Sequence, residues 1–183
     1  RDAGDTLRLL TNVPLYYEID ITNKRNLTLN MDGKTISTNK RWRITVPFTL
    51  TNTSEQESTL KISTAVNLIT TSDTLTVNNV TLKNTNSSDY VISNSGKATL
   101  SNTKIECING VESTNELIIN NSNISATRNT ITNTSKLTIN GGTYTGSNYS
   151  LYSNSSRDVN ITNATFNGVA ALPLTVALPA AGL

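Results

Sequence analysis

The sequence has no histidine among its 183 residues, a single cysteine, and low charged and aromatic fractions of 15% and 5%. Each scarcity closes a class of function. Without histidine the chain lacks the side chain that titrates nearest neutral pH, and with it the commonest metal ligand. One cysteine leaves no internal disulfide, and no serine or cysteine stands with a partner base as a nucleophile. The formal net charge of +2 is spread thinly, without a basic cluster, which excludes nucleic acid as a partner. No apolar run approaches the ~20 residues that a membrane span requires. No signal peptide is present, and a chain that begins at Arg1 reads as a processed product. The acids Asp73, Asp89, Glu106, Glu112, Glu116 and Asp158 are scattered, and only Asp89 and Glu112 come from comparable parts of adjacent repeats. The expectation is no catalytic residue, no metal site and no cofactor.

What the chain does contain is Asn, Thr and Ser arranged in a repeat. The segments beginning at Lys97, Glu116, Lys136 and Asp158 read KATLSNTKIEC, ELIINNSNISA, KLTINGGTYTG and DVNITNATFNG. With Leu100, Ile119, Ile139 and Ile161 as markers, the steps are 19, 20 and 22 residues. A period of that length, built from short alternating runs, denotes stacked coils that bury their apolar faces against one another. Inward columns are expected at Leu75, Ala98, Leu117, Leu137 and Val159, at Val77 and the markers, and at Leu82, Ile105, Ile124, Tyr144 and Phe166. A further apolar column, eight residues before the marker, takes Ile36, Ile69, Ile92, Val111 and Ile131, with Leu151 in the last coil. Each coil then holds about three short strands, with like strands paired in parallel. Counting back, the marker register reaches Ile44 and then Ile21.

Two residues beyond the marker the column reads Asn23, Asn79, Asn102, Asn121, Gly141 and Asn163. Asn and Gly tolerate a left-handed backbone, so their interchange predicts φ > 0 at this corner. Stacked carboxamides also bond from rung to rung; a row of ligand-binding amides is the alternative. Before the first inward strand lies a charge column, Lys97, Glu116, Lys136 and Asp158, alternating in sign in a way that fixes the stacking register. Cys107 shares a column with Asn84, Ala126, Gly146 and Gly168, where small size is what matters.

These coils resemble the right-handed parallel β-helix of the pectate-lyase-like superfamily, which carries such an Asn ladder at one turn. The resemblance covers about residues 18–168. The opening run GDTLRLL, followed by LTLNMDGKTI, resembles the first coils of secreted Gram-positive β-helix repeat proteins. It implies an all-β chain folded as a single-stranded right-handed parallel β-helix of about six to seven coils. The helix would occupy residues 1–168, with residues 1–17 as N-terminal coil or cap, in an extracellular or cell-surface setting. Pectate lyases of this fold use a Ca²⁺ site of several carboxylates and an Arg base, and glycoside hydrolases need two facing acids. Neither pattern is present in the sequence, which points to a non-catalytic structural or surface protein rather than a polysaccharide lyase or hydrolase.

Three further stretches bear on partners. Residues 51–58, TNTSEQES, form a polar protruding loop with two acids, Glu55 and Glu57, and no aromatic residue; it is either a solvated loop or a binding loop on a rigid support. Tyr90 and Tyr149 occupy equivalent positions, as rim packing or as platforms for a surface carbohydrate. Residues 169–183 abandon the repeat for an apolar tail bearing Leu172, Leu174, Val176 and Leu178. It serves either as a cap on the last coil or as a strand donated to a neighbouring copy in end-to-end self-association. An outward Thr column (Thr28, Thr76, Thr99, Thr138) is broken by Ile118 and Asn160, so no regular Thr-x-Thr array results.

Overall fold

The computed structural model describes residues 4–22, 26–155 and 158–171. All of the secondary structure in these residues is strand. Each coil contributes one strand to each of three columns, and every pairing between neighbouring coils is parallel. The first column is a sheet of eight strands, from Asp5–Arg8 through Lys97–Ser101 to Val159–Thr162. Eight strands in this column correspond to about seven turns of a β-solenoid. At the ~4.8 Å spacing of paired strands the stack is roughly 34 Å long. The other two columns join in a larger sheet because the strands Lys104–Ser113 and Asn123–Asn133 run continuously through the corner that separates them elsewhere. The register shifts between Cys107 and Asn109, where these strands bend. Gly110 makes the bend possible, since a Cβ there would lie 2.3 Å from the Thr130 carbonyl oxygen.

Alternation does the folding work. Leu75, Ala98, Leu117 and Leu137 stack directly on one another, as do Val77, Leu100, Ile119 and Ile139, and each of these eight side chains is fully buried. Their neighbours Thr76, Thr99, Ile118 and Thr138 face outward. A buried aliphatic side chain of this size contributes about 1.5–3 kcal/mol over leaving it exposed, and a single continuous cluster of such residues runs from Leu29 to Ile161. The core under the early coils includes Met31, Trp42 and Phe48, with the Trp42 and Phe48 rings edge to face at 6.2 Å.

Before Val77 the register differs from the sequence expectation. Val77 pairs with Leu50, Leu50 with Leu29 and Leu29 with Leu7. Ile44 and Ile21 instead stack on each other in the third column, below Thr71. Ile36 belongs to the second column, beneath Leu60 and Leu82, and Trp42 takes the place under Ile69. The reason is that the step from Leu50 to Val77 is 27 residues, lengthened by loops at residues 52–58 and 63–68. A count of about twenty therefore ends in a loop, and the strand of Ile44 offers the same alternation as that of Leu50. At the other end the ladder runs on past Gly168, with Ala170 and Ala171 paired to Leu151 and Tyr152. The outward Thr column gains Thr6 and Thr49 in the true register, and Ile118 and Asn160 still interrupt it.

Candidate functional site

The corner residues Asn79, Asn102, Asn121 and Asn163 have φ of 56°, 49°, 45° and 52°, and Gly141 has 79°. All five stand in the left-handed region, at the same step of successive coils. Asn121 Oδ1 lies 2.4 Å from where a Cβ on Gly141 would sit, so its carboxamide covers the glycine of the next rung. Asn79 donates from Nδ2 to the Asn52 carbonyl at 3.1 Å. Asn23 lies outside the described residues. In the true register Asn52 precedes Asn79 in this column, because Ile21, which put Asn23 in the series, is not a marker residue.

The longest chain of side-chain hydrogen bonds runs one residue earlier. Asn140 Nδ2 donates to Asn120 Oδ1 at 2.9 Å, Asn120 Nδ2 to Ser101 Oγ at 3.3 Å, and Thr162 Oγ1 to Asn140 Oδ1 at 3.0 Å. A second polar column, Thr71, Asn94, Ser113, Asn133 and Ser153, is buried at the corner before the charged residues. There Asn94 Nδ2 bonds Ser113 Oγ at 2.9 Å and the Gly96 carbonyl at 3.0 Å. Sequence reading missed both. For the buried column a signal was available, since Thr71, Asn94, Ser113 and Asn133 each stand six residues before Val77, Leu100, Ile119 and Ile139. In the charge column Glu116 pairs with Lys97 at 3.2 Å and Lys136 at 3.1 Å. Hydrogen bonds first from Lys136 and then from Lys97 hold its carboxyl below the usual range. Asp158 stands next, its carbonyl accepting from the Leu137 N–H at 3.0 Å. The tail residues Leu172, Leu174, Val176 and Leu178 lie outside the described residues.

A different cluster draws the charged side chains together. The outward face of the second column, across the coils that contain Thr59–Ile62, Thr81–Asn84 and Lys104–Ser113, carries a polar groove. Its central part holds about 360 Å³ above Thr59, Lys61, Lys83 and Glu106. One flank, about 280 Å³, extends under the 52–58 loop to Asn79 and Asn102, and shares Glu57, Thr81 and Lys104 with the centre. The other, about 220 Å³, shares Lys61 and Lys83 and reaches Ser63 and Asn86. The loop wall is tied down from within. Asn52, 4% exposed, donates from Nδ2 to the Gln56 carbonyl at 2.8 Å, and its Oδ1 accepts the N–H groups of Ser54 at 3.1 Å and Gly33 at 3.0 Å. Thr81 donates its hydroxyl to Glu57 Oε1 at 2.5 Å, pinning the loop to the groove floor.

On that floor Glu106 is held by two lysines, Lys104 at 2.6 Å and Lys83 at 2.7 Å. Hydrogen bonds from Lys104 and then Lys83 lower its carboxyl to about 2, against the opposing effect of burial. The same bond raises Lys104 above its ordinary value. Sequence reasoning noticed the 51–58 loop and Glu106 separately and did not bring them together. Elsewhere Cys107 is buried, and burial pushes its thiol up to about 12. Tyr90 bonds the Thr132 hydroxyl at 3.0 Å, whereas Tyr149 is partly exposed and packs its ring against Tyr152 at 5.4 Å. Among the described residues no group of three or more Cys, Asp and Glu converges as a metal site, and no helix is long and apolar enough to cross a membrane. Comparison with protein-family models, with characterised proteins and with solved structures finds no match to this chain.

Proposed function

We propose that this chain is a non-catalytic surface protein of the extracellular β-helix kind, related in plan to the pectate-lyase-like superfamily, whose groove beside the 52–58 loop binds carbohydrate. The observation that carries this reading is the internal stapling of the loop by Asn52 and Thr81. A merely solvated connection has no need of a buried carboxamide at its centre, whereas a binding loop gains affinity from being ordered before its ligand arrives. The groove offers the hydroxyl of Thr59, amides from Gln56, Asn79 and Asn102, and ammonium groups, all suited to sugar hydroxyls and ring oxygens. The state of Glu106 argues against its serving as a general acid. A general acid must keep its proton near working pH, and two lysines hold this carboxyl ionised.

The test is a panel of surface polysaccharides measured against the parent and against a variant in which residues 53–57 are replaced by a two-residue turn. The expected result is binding by the parent and loss in the variant, with a lower melting temperature, since Asn52 and Thr81 lose partners, and the β circular-dichroism signal retained. Equal binding by both proteins, or binding by neither, overturns the reading.

End-to-end assembly is a second reading, favoured by the placement of exposed apolar residues. Leu7, Leu10, Tyr16 and Tyr17 lie in the first coil and Val169 in the last. Pro14 works against strand addition at the first coil, since it sits in the outermost strand of its column and lacks an N–H.

A further inference from the structure

The groove's charges are arranged unevenly, and the imbalance points to what it binds. Lys61 and Lys83 are direct partners on adjacent strands, so two like charges stand one strand spacing apart on the same face. Such a pair is destabilising unless something neutral or negative lies between. Lys83 is neutralised through Glu106, but Glu106 is already shared with Lys104. Glu57, the next acid, is engaged by Thr81 beside Lys104. Among the described residues Lys61 has no ion-pair partner. The central part of the groove therefore holds three lysines against two glutamates; the third glutamate, Glu55, lines the flank under the loop, so the uncompensated charge is local, at the Lys61 end.

Resting on the reading of the groove as a carbohydrate site, we propose that its ligand is an anionic glycan, with a carboxylate, sulfate or phosphate group seated between Lys61 and Lys83. The neighbouring Thr59 hydroxyl lies on the same floor for a sugar hydroxyl. Single-stranded nucleic acid, the other common polyanion, binds by stacking its bases on aromatic rings, and no aromatic side chain lines the groove.

The experiment uses the intact chain and measures binding by calorimetry to a polyuronate, a sulfated glycan, a polyol-phosphate polymer, an uncharged polymer of similar length and a single-stranded oligonucleotide. At least one anionic glycan should bind about tenfold or more tightly than the uncharged polymer, and the best of the three identifies the anion. Raising the salt to 1 M, where the screening length falls to ~3 Å, should remove that preference. Lys61→Glu should weaken anionic binding by about tenfold or more. Lys40→Glu, the same charge change at an exposed residue outside the groove lining, should leave it within about twofold. Equal affinity for charged and uncharged glycans overturns the anion seat and leaves the carbohydrate reading standing. Equal weakening by the two variants, or an oligonucleotide binding as tightly as the best glycan, overturns the seat as well. Failure of every glycan to bind overturns the carbohydrate reading itself.

Discussion

Replacing Glu106 by Gln isolates the acid that Lys83 and Lys104 share. The amide keeps the shape and removes the charge, leaving Lys83 and Lys104 without their common counter-ion. The depression of the Glu106 carboxyl from 4.5 to about 2 corresponds, taken alone, to roughly 3 kcal/mol. The lysine side chains are 43% and 55% exposed, so water and salt screen much of that, and about 1–2 kcal/mol is the expected loss at neutral pH. The sign of the pH dependence follows from a folded carboxyl that is more acidic than the unfolded one. The stabilisation is fully present above about pH 4.5 and is lost as the pH falls through about 2. Denaturant titrations of parent and variant at pH 7, 4 and 2 should therefore show a gap of about 1–2 kcal/mol that narrows toward zero at the acid end. A gap that stays constant across that range, or none at pH 7, refutes the shared-acid reasoning. The companion observation is that the variant loses less stability than the parent between pH 7 and pH 2, because it has no carboxylate at position 106 to protonate.

Three further outcomes test separate parts of the structure. Ile119→Asp puts an unpaired carboxylate into a fully buried column and should abolish folding, read as loss of the β circular-dichroism signal. Gly141→Ala should lower stability by about 1–3 kcal/mol in thermal or denaturant melts, because a Cβ at φ 79° would meet Asn121 Oδ1 at 2.4 Å. Asn102→Gly, where the left-handed backbone is kept, should cost far less. Cys107, with its thiol pushed up to about 12 by burial, should resist an aromatic disulfide reagent in the native protein and react at once in denaturant.

The later coils are legible in the sequence because their steps hardly vary. From Leu100 to Ile161 each coil closes with short corners, so counting about twenty residues finds the residue stacked above. The earlier coils are not legible in this way. Each coil contains three strands of similar alternating composition, and once the loops at residues 52–58 and 63–68 intervene, Ile44 resembles a marker as well as Leu50 does. Only core volume separates them. Trp42 and Phe48 fill the early interior and have to lie in different columns, which alternation alone does not reveal. The left-handed corner was readable because Asn and Gly share a rare backbone preference. The hydrogen-bonded amides one residue earlier were hidden, since Asn120 and Asn140 are joined in that column by the hydroxyl residues Ser101 and Thr162, in a chain rich in all three residue types. The groove was least legible of all. Lys61, Lys83 and Glu106 each look like an ordinary solvated charge, and become one cluster only when the register sets them side by side.

The stacking register is tested most directly by a paired-cysteine cross-link. Adjacent parallel strands place partner residues ~4.8 Å apart, within the span of a disulfide. With Thr49 and Thr76 both changed to Cys, facing outward on neighbouring coils, oxidation should yield an intramolecular disulfide while Cys107 stays reduced. A chain in which that bridge fails to form, while cysteines at Arg43 and Thr76 bridge readily, would contradict the stack described above.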